Sequence, residues 1–504
     1  MPHIQLKQFD TTVPDHSLSA RDTKLFLGLA TPLSPDARDS LYRRQTEFKA
    51  RRNLSAKTRS IEMAFCGLVA FVFLVLVQSR VKERSDWRAT LLHIYNTKKG
   101  VAYFRNTTRV LRLQTPQNTF RSNLRDDVNY ITTFPYGGLT NQLLSTFKLT
   151  YMARRLGRAA ILPDLEPNHA EGEYTFYSNF FDLDYFSHRT NVPLTEWKDV
   201  KKRRVHSLPS KKKETLGCWG EGRAPDPSLP DYETDVSFWP VPKQLATKFG
   251  VEPTTTFAGI ETIDSHNATV TKWLDSKVKQ WFRTIENSPP LPDQHLLCFR
   301  NLFYTSTVNT SSLEFVEGSK GRTPEVEGLG KDSDIWLEIG QYLKFTPRIE
   351  SLVDDYLTSL IGDPDQPFIA VHIRQGDFLK LGRSTNETST IKTKYSRGLE
   401  LLHEKLEHLP ALEGVELEDL PILLATDSTD PNLLAELKRM RWTLIDHEKI
   451  GTKEMYGGWY PGLLDSAILS RAIGLVGTKQ STFTYLAERR IESWNGGAGV
   501  VVEL

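Results

Sequence analysis

An arginine at the end of an apolar strand is a ready anion ligand, and this chain carries one in His372-Ile373-Arg374-Gln375-Gly376-Asp377. The run FIAVHIR (368–374) reads as a strand, and alternation along it puts His372 and Arg374 on one face at its C-terminal end. A guanidinium is a permanent charge with a planar fork of donors, which suits a diphosphate. A salt bridge from Arg374 to Asp377, closing a turn, accounts for the same residues equally well. A second cluster is Gly137-Gly138-Leu139-Thr140-Asn141-Gln142. Glycines let the backbone approach a ligand, and the helix that follows offers unpaired N–H groups and a positive dipole end. The cluster matches neither a dinucleotide GxGxxG nor a phosphate-binding GxxxxGKS/T, and its plain alternative is a simple turn. The third is Ser481-Thr482-Phe483, at a helix start just past the run GLVGT. Ser or Thr there caps the helix. Together with Asp465 the same segment could hold a nucleotide base and phosphate, and the two roles are compatible.

These residues need strands and helices to aim them. Around the first cluster, VNYITTF leads into the glycine turn, and NQLLSTFKLTYMARRLGR follows with Leu143, Leu144, Phe147 and Tyr151 at helical spacing. AAILP (159–163) reads as the next strand, giving a β–loop–α–β unit. Around the other clusters, PILLATD (421–427), WTLIDH (442–447), GLVGT (474–478) and GVVVEL (499–504) read as strands. Helices PNLLAELKRM, GLLDSAILSRA and STFTYLAERRI separate them. Apolar strands alternating with helices predict a parallel sheet covered on both faces, with ligands past the strands' C-terminal ends. The expected architecture is α/β, with two Rossmann-like domains facing a cleft. Residues 200–340 carry basic clusters (Lys201–Arg204, Lys211–Lys213) and few strong strand signals, so long loops are expected there.

YITTFPYGGLTNQ, AVHIRQGD, ATD and LLDSAILSRAIGLVGTKQSTFTYLA, in that order over about residues 126–504, are similar to the protein O-fucosyltransferase superfamily. That group is allied with the α1,6- and α1,2-fucosyltransferases through an H-x-R element. The resemblance implies a GT-B fold, GDP-fucose as donor, inversion at the anomeric carbon and no metal or other cofactor. It implies that Arg374 neutralises the departing diphosphate and that Asn141 lies near the donor phosphates and acceptor. It implies further that His372 and Asp465 surround the nucleoside, and that Ser481, Thr482 and Phe483 form the donor-binding loop. Gly137 and Gly138 belong to the glycine loop on the substrate side. Some relatives carry a Glu in that loop, but Tyr136-Gly137-Gly138-Leu139-Thr140 has no carboxylate. Asp377, another residue or solvent must then take the acceptor's proton.

The bulk sequence sets the context. Its 504 residues, 25% charged and 39% hydrophobic, are ordinary for a globular protein, and a net charge of +2 does not point to nucleic acid. Met63–Val77 is an uncharged apolar run of fifteen residues. It would span about 22 Å as a helix, against a hydrocarbon core of ~30 Å. Extended over 61–81, with Glu62 and Arg80 snorkelling, it reads as one transmembrane signal anchor; a buried core helix is the rival. A basic tail (1–60) precedes it and a stem (82–125) follows. A half-domain with insertions (126–355) and a donor-binding half (356–504) complete the chain. The basic run before the anchor favours a cytosolic N-terminus only modestly, since Arg80, Lys82, Arg84 and Arg88 follow it. Mainly what lies beyond the segment leads to the expectation of a type II protein of the endoplasmic reticulum or Golgi membrane with its catalytic part luminal. Sequons at Asn106, Asn267, Asn309 and Asn386 fall on that luminal side, whereas Asn53 would be cytosolic. Cys218 and Cys298 are the only cysteines beyond the anchor; in an oxidising lumen they would pair, and two buried free thiols are the alternative. The expected partners are a sugar nucleotide and a protein or glycan acceptor. Two other readings stand beside this one. A metal-dependent GT-A transferase would use Asp182-Leu183-Asp184 or Asp332-Ser333-Asp334 as its D-x-D, and a glycan-binding ectodomain would lack catalysis.

Overall fold

The structure, a computed structural model, describes residues 110–168, 170–203, 213–220, 241–257, 293–303, 329–330 and 333–504. The expected anchor at 61–81, the basic tail and the sequons Asn53, Asn106, Asn267 and Asn309 lie outside them. So do Arg204, Lys211 and Lys212 of the two basic clusters, and Asp332. Among the described residues, no helix is long and apolar enough to cross a membrane.

Two all-parallel sheets organise the described chain. The first holds β1 (Tyr130–Thr133), β2 (Ala159–Leu162), β3 (Leu194–Glu196), β4 (Glu214–Gly220), β5 (Val251–Phe257) and β6 (Leu296–Phe299), in the order β3-β2-β1-β6-β4-β5. The second holds β7 (Ile369–Ile373), β8 (Ile422–Thr426), β9 (Thr443–Leu444), β10 (Gly474–Thr478) and β11 (Ala498–Val502), in the order β11-β10-β7-β8-β9. Five helices bear on the site: α1 (Leu139–Leu156), α2 (Pro347–Ile361), α3 (Thr388–Leu406), α4 (Tyr460–Leu469) and α5 (Thr482–Arg490).

Both faces of each sheet are buried, which is why the central strands read as continuous apolar runs. Ile131, Ala160, Leu162, Leu297 and Phe299 pack against Leu143, Leu144, Phe147 and Tyr151 of α1. The opposite face puts Tyr130, Ile161, Leu296 and Cys298 against Phe120, Trp197, Leu245 and Phe249. In the second sheet, Ile369, Val371 and Ile373 meet Ile391, Tyr395 and Leu402 of α3. Ala370, Leu423 and Leu475 face α2, α4 and α5, in the same apolar cluster that holds α1. One core therefore runs through both halves.

Two segments depart from the sequence expectation. The stretch 200–340 was expected to be strand-poor, yet it supplies three of the six strands in the first sheet. β4 (ETLGCWG) has two glycines and β5 (VEPTTTF) a proline, which weaken the local strand signal. Proline is tolerated in β5 because that strand is the sheet's edge. The strand expected over 442–447 shrinks to Thr443–Leu444 because Asp446 caps the next helix, accepting from Lys449 N at 3.0 Å. Cys218 of β4 and Cys298 of β6 are joined by a disulfide, which ties the outer strands to the centre of the sheet.

Candidate active site

In each sheet the first strand is internal, and the chain runs outward from it on one side before crossing to the other. β1 lies between β2 and β6; β7 lies between β8 and β10. Loops diverge at such a strand and leave a crevice past its C-terminal end. The glycine cluster follows β1 and Arg374 follows β7, so the two main candidates sit at the two crevices.

At the first crevice, Gly137 has φ +68°, which an L side chain rarely adopts. A Cβ there would also lie 2.7 Å from Asn141 Nδ2, so the Asn141 amide folds directly against the turn. Gly138 occupies the N-cap position of α1, whose N–H groups open toward the crevice. Fully buried Gln142 fastens the turn, its Nε2 donating to Gly137 O and to Glu166 O, each at 2.8 Å. Its Oε1 accepts from Glu166 N at 2.8 Å.

At the second crevice, Arg374 makes the salt bridge the sequence allowed and one more. Its Nη2 pairs with Asp377 at 2.8 Å and its Nη1 with Asp427 at 2.7 Å. Asp427 also accepts from Gln375 N at 2.7 Å. Gly376 is required beside it, since a Cβ would stand 2.3 Å from Asp427 Oδ2. The Arg374 N–H donates to Thr478 Oγ1 at 2.8 Å, and the Tyr395 hydroxyl meets Thr478 at 2.7 Å and donates to His372 O at 2.9 Å. The strand end is thus held from β10, from α3 and from the loop after β8.

His372 is buried, with Nδ1 2.8 Å from Thr484 Oγ1 and its ring 4.9 Å from that of Phe483. Burial and, secondarily, the Arg374 charge push its pKa down to about 3, so the imidazole is neutral near pH 7. Ser481 caps α5 through Thr484 N at 3.5 Å. Thr482 reaches across the molecule, donating from Oγ1 to Asn141 Oδ1 at 2.9 Å. That bond joins the two crevices.

Asp465 stands apart. It pairs with His447 Nε2 at 3.0 Å, and His447 Nδ1 lies 3.0 Å from Thr452 Oγ1, which in turn bonds the Tyr356 hydroxyl. Among the described residues, no hydrogen bond or ion pair joins it to Arg374 or Ser481. Asn386 is exposed in the turn before α3. Asp182 caps the helix Leu183–Thr190, accepting from Tyr185 N at 2.9 Å, which gives half of one D-x-D a local structural task. Asp427, Thr478, Tyr395 and Glu166 are site neighbours that motif reading passed over. Asp427 had a signal, an acid just past a strand end. Tyr395 and Thr484 had none, since helix residues that turn inward look like core.

The profile of the family described as GDP-fucose protein O-fucosyltransferase matches residues 130–493. No curated protein matches the sequence. Among solved structures, POFUT1 in complex with GDP-fucose aligns at 16% identity over 75% of this chain and 99% of that one, with a TM-score of 0.45. NodZ alpha-1,6-fucosyltransferase co-crystallised with GDP aligns at 14% identity over 72% and 92%, with a TM-score of 0.35. The fucosyltransferase NodZ from Bradyrhizobium aligns at 14% over 72% and 91%, with a TM-score of 0.34. The profile match takes in β1, the glycine turn, β7 with Arg374 and α5 with its capping Ser481, and on that extent the chain belongs to the GDP-fucose protein O-fucosyltransferase family and is a glycosyltransferase.

Proposed function

We propose that this enzyme moves fucose from GDP-fucose to a hydroxyl of a protein or glycan acceptor, with inversion, in a GT-B cleft between its two halves. The observation that carries this reading is the meeting of the two crevices. Asn141 behind the glycine turn and Thr482 at the start of α5 are hydrogen-bonded at 2.9 Å. One donor molecule would therefore touch elements of both sheets. In a single in-line displacement, the acceptor oxygen bonds to the anomeric carbon as the carbon–oxygen bond to the β-phosphate breaks. The electron pair leaves on GDP and the acceptor loses its proton.

Charge grows on the diphosphate as the sugar departs. Arg374 is the group that meets it, with the N-terminus of α1 adding fixed donors. The guanidinium is held between Asp377 and Asp427, so the diphosphate must share it with, or take it from, at least one of them. Asp427 holds the fork and Thr478 holds the Arg374 backbone N–H, which is the preorganisation such catalysis needs. Neutral His372 and the Phe483 ring upon it offer an uncharged surface for the nucleoside. Asp465 needs to part from His447 to reach a base.

The test is calorimetric titration of the full chain with GDP-fucose, GDP-mannose and UDP-galactose, together with GDP release in excess EDTA. GDP-fucose should bind tightest and turnover should persist in chelator. Binding of UDP-galactose alone, or activity lost in EDTA and restored by Mn²⁺, would overturn the reading in favour of a D-x-D transferase.

A further inference from the structure

The glycine loop has no carboxylate, and Asp377 is engaged by Arg374. A carboxylate off that loop and not paired with Arg374 would be freer to take the acceptor's proton. A cavity of about 410 Å³ opens just past the C-terminal end of β2, lined by Glu166, Pro167, Asn168, Tyr174, Lys243 and Gln244. Glu166 is its carboxylate. Oε1 accepts from the Tyr174 hydroxyl at 3.1 Å, and Oε2 has no hydrogen bond among the described residues. The backbone of Glu166 is gripped at both its N–H and its carbonyl by the Gln142 amide. The same amide nitrogen holds Gly137 O. Asn141, one residue earlier in α1, is bonded to Thr482 of the donor half. Gln142 therefore ties the cavity wall at Glu166 to the glycine turn, and the residue before it in α1 ties that turn's helix to α5.

We propose, on the fucosyltransferase reading above, that this cavity admits the acceptor hydroxyl and that Glu166 is the catalytic base. As the hydroxyl oxygen bonds to the anomeric carbon, its proton passes to Glu166 Oε2. The bond to the β-phosphate breaks with its electron pair going to GDP, and the proton then leaves Glu166 to water. A neighbouring carboxylate, Asp164, is unsuited because it is fully buried against Arg203. Glu166 combines a lining position with partial burial, which raises its pKa above the usual carboxylate range although the Tyr174 hydrogen bond opposes this. A carboxylate so shifted is a better base near neutral pH.

Water and azide are sufficient probes, so no acceptor need be known. Water must lose a proton to become a stable product, whereas azide attacks as an anion and needs no base. Full-length protein and its Glu166→Gln and Glu166→Asp variants are given GDP-fucose, and GDP release is followed with and without sodium azide. Glu166→Gln should lower hydrolysis about 10²-fold, the range for losing a general base. Glu166→Asp, one methylene short, should fall between. Azide should bring both variants to the rate of the unsubstituted enzyme in azide, with a fucosyl azide as product, and calorimetric affinity for GDP-fucose should not change. Normal hydrolysis by Glu166→Gln, or failure of azide to restore a variant that still binds GDP-fucose, overturns the assignment. Failure of the unsubstituted chain to bind GDP-fucose is a distinct result, which overturns the donor reading on which the assignment rests.

Discussion

Arg374 is held by two carboxylates from different parts of the chain. Its salt bridge to Asp377 closes a local turn, while its second nitrogen answers to Asp427, 53 positions downstream by the chain numbering. Both pairs are partly exposed, where ion pairs are worth little stability, so the arrangement reads better as aim than as glue. An interaction that strengthens at the barrier lowers it, whereas one unchanged from the ground state alters only binding. Arg374→Ala should accordingly cut kcat by about 10²–10³, the scale for losing one preorganised donor. Arg374→Lys should be nearly as poor, because an ammonium cannot offer two in-plane nitrogens to separate partners. Phe483→Ala, which uncovers His372, should raise the dissociation constant for GDP-fucose and leave kcat closer to normal. Turnover at saturating donor and calorimetry on each variant separate the two effects. A folded Arg374→Ala enzyme with normal turnover would remove this residue from the chemistry.

At the scale of elements, the strands at the switch points do the positioning. β7 is held by bonds from its neighbours' ends: Thr478, the last residue of β10, takes the Arg374 N–H, and Thr426 of β8 donates to Ile373 O at 2.8 Å. The first sheet is reinforced differently. Cys218 and Cys298 link adjacent strands 80 positions apart, and between them lies sequence with no strong local strand preference. Closing a loop of that length restricts the unfolded chain by an amount that loop-entropy arguments put at about 4.5 kcal/mol. Cys218→Ser with Cys298→Ser should lower unfolding stability by about 2–5 kcal/mol in a denaturant titration. The effect should vanish when both forms are compared under reducing conditions, and an equal loss under reduction would trace it to packing at the buried sites instead.

Across the whole molecule the two halves share one apolar cluster and several polar ties. Trp459 Nε1 donates to Glu173 O at 2.8 Å while its ring packs on Phe180, and Trp494 Nε1 donates to Gln341 O at 2.9 Å. A core shared in this way predicts one cooperative calorimetric transition for the described body. Trp459→Ala should lower its stability by about 3–5 kcal/mol, the usual cost of emptying a large aromatic site, and the transition should stay single. Two resolved transitions in the unsubstituted protein would mean the halves fold independently. The sequence alone determined β1, α1, β7, β8, β10 and α5, because apolar runs, helical spacing and caps are local signals. It also singled out residues with the chemistry to meet a diphosphate, Arg374 first among them, since residue type and motif order are read without any fold. It could not choose between a salt bridge and a ligand site at Arg374, nor show that the cysteines pair. Nor could it parse β4 and β5, whose glycines and edge proline hide their strand character. Those outcomes depend on neighbours brought in from far along the chain. Asp427 reaches Arg374 from the end of β8, Thr482 reaches Asn141 across 341 positions, and Gln142 sets Glu166 beside the glycine turn, so only the tertiary fold decides what each residue faces.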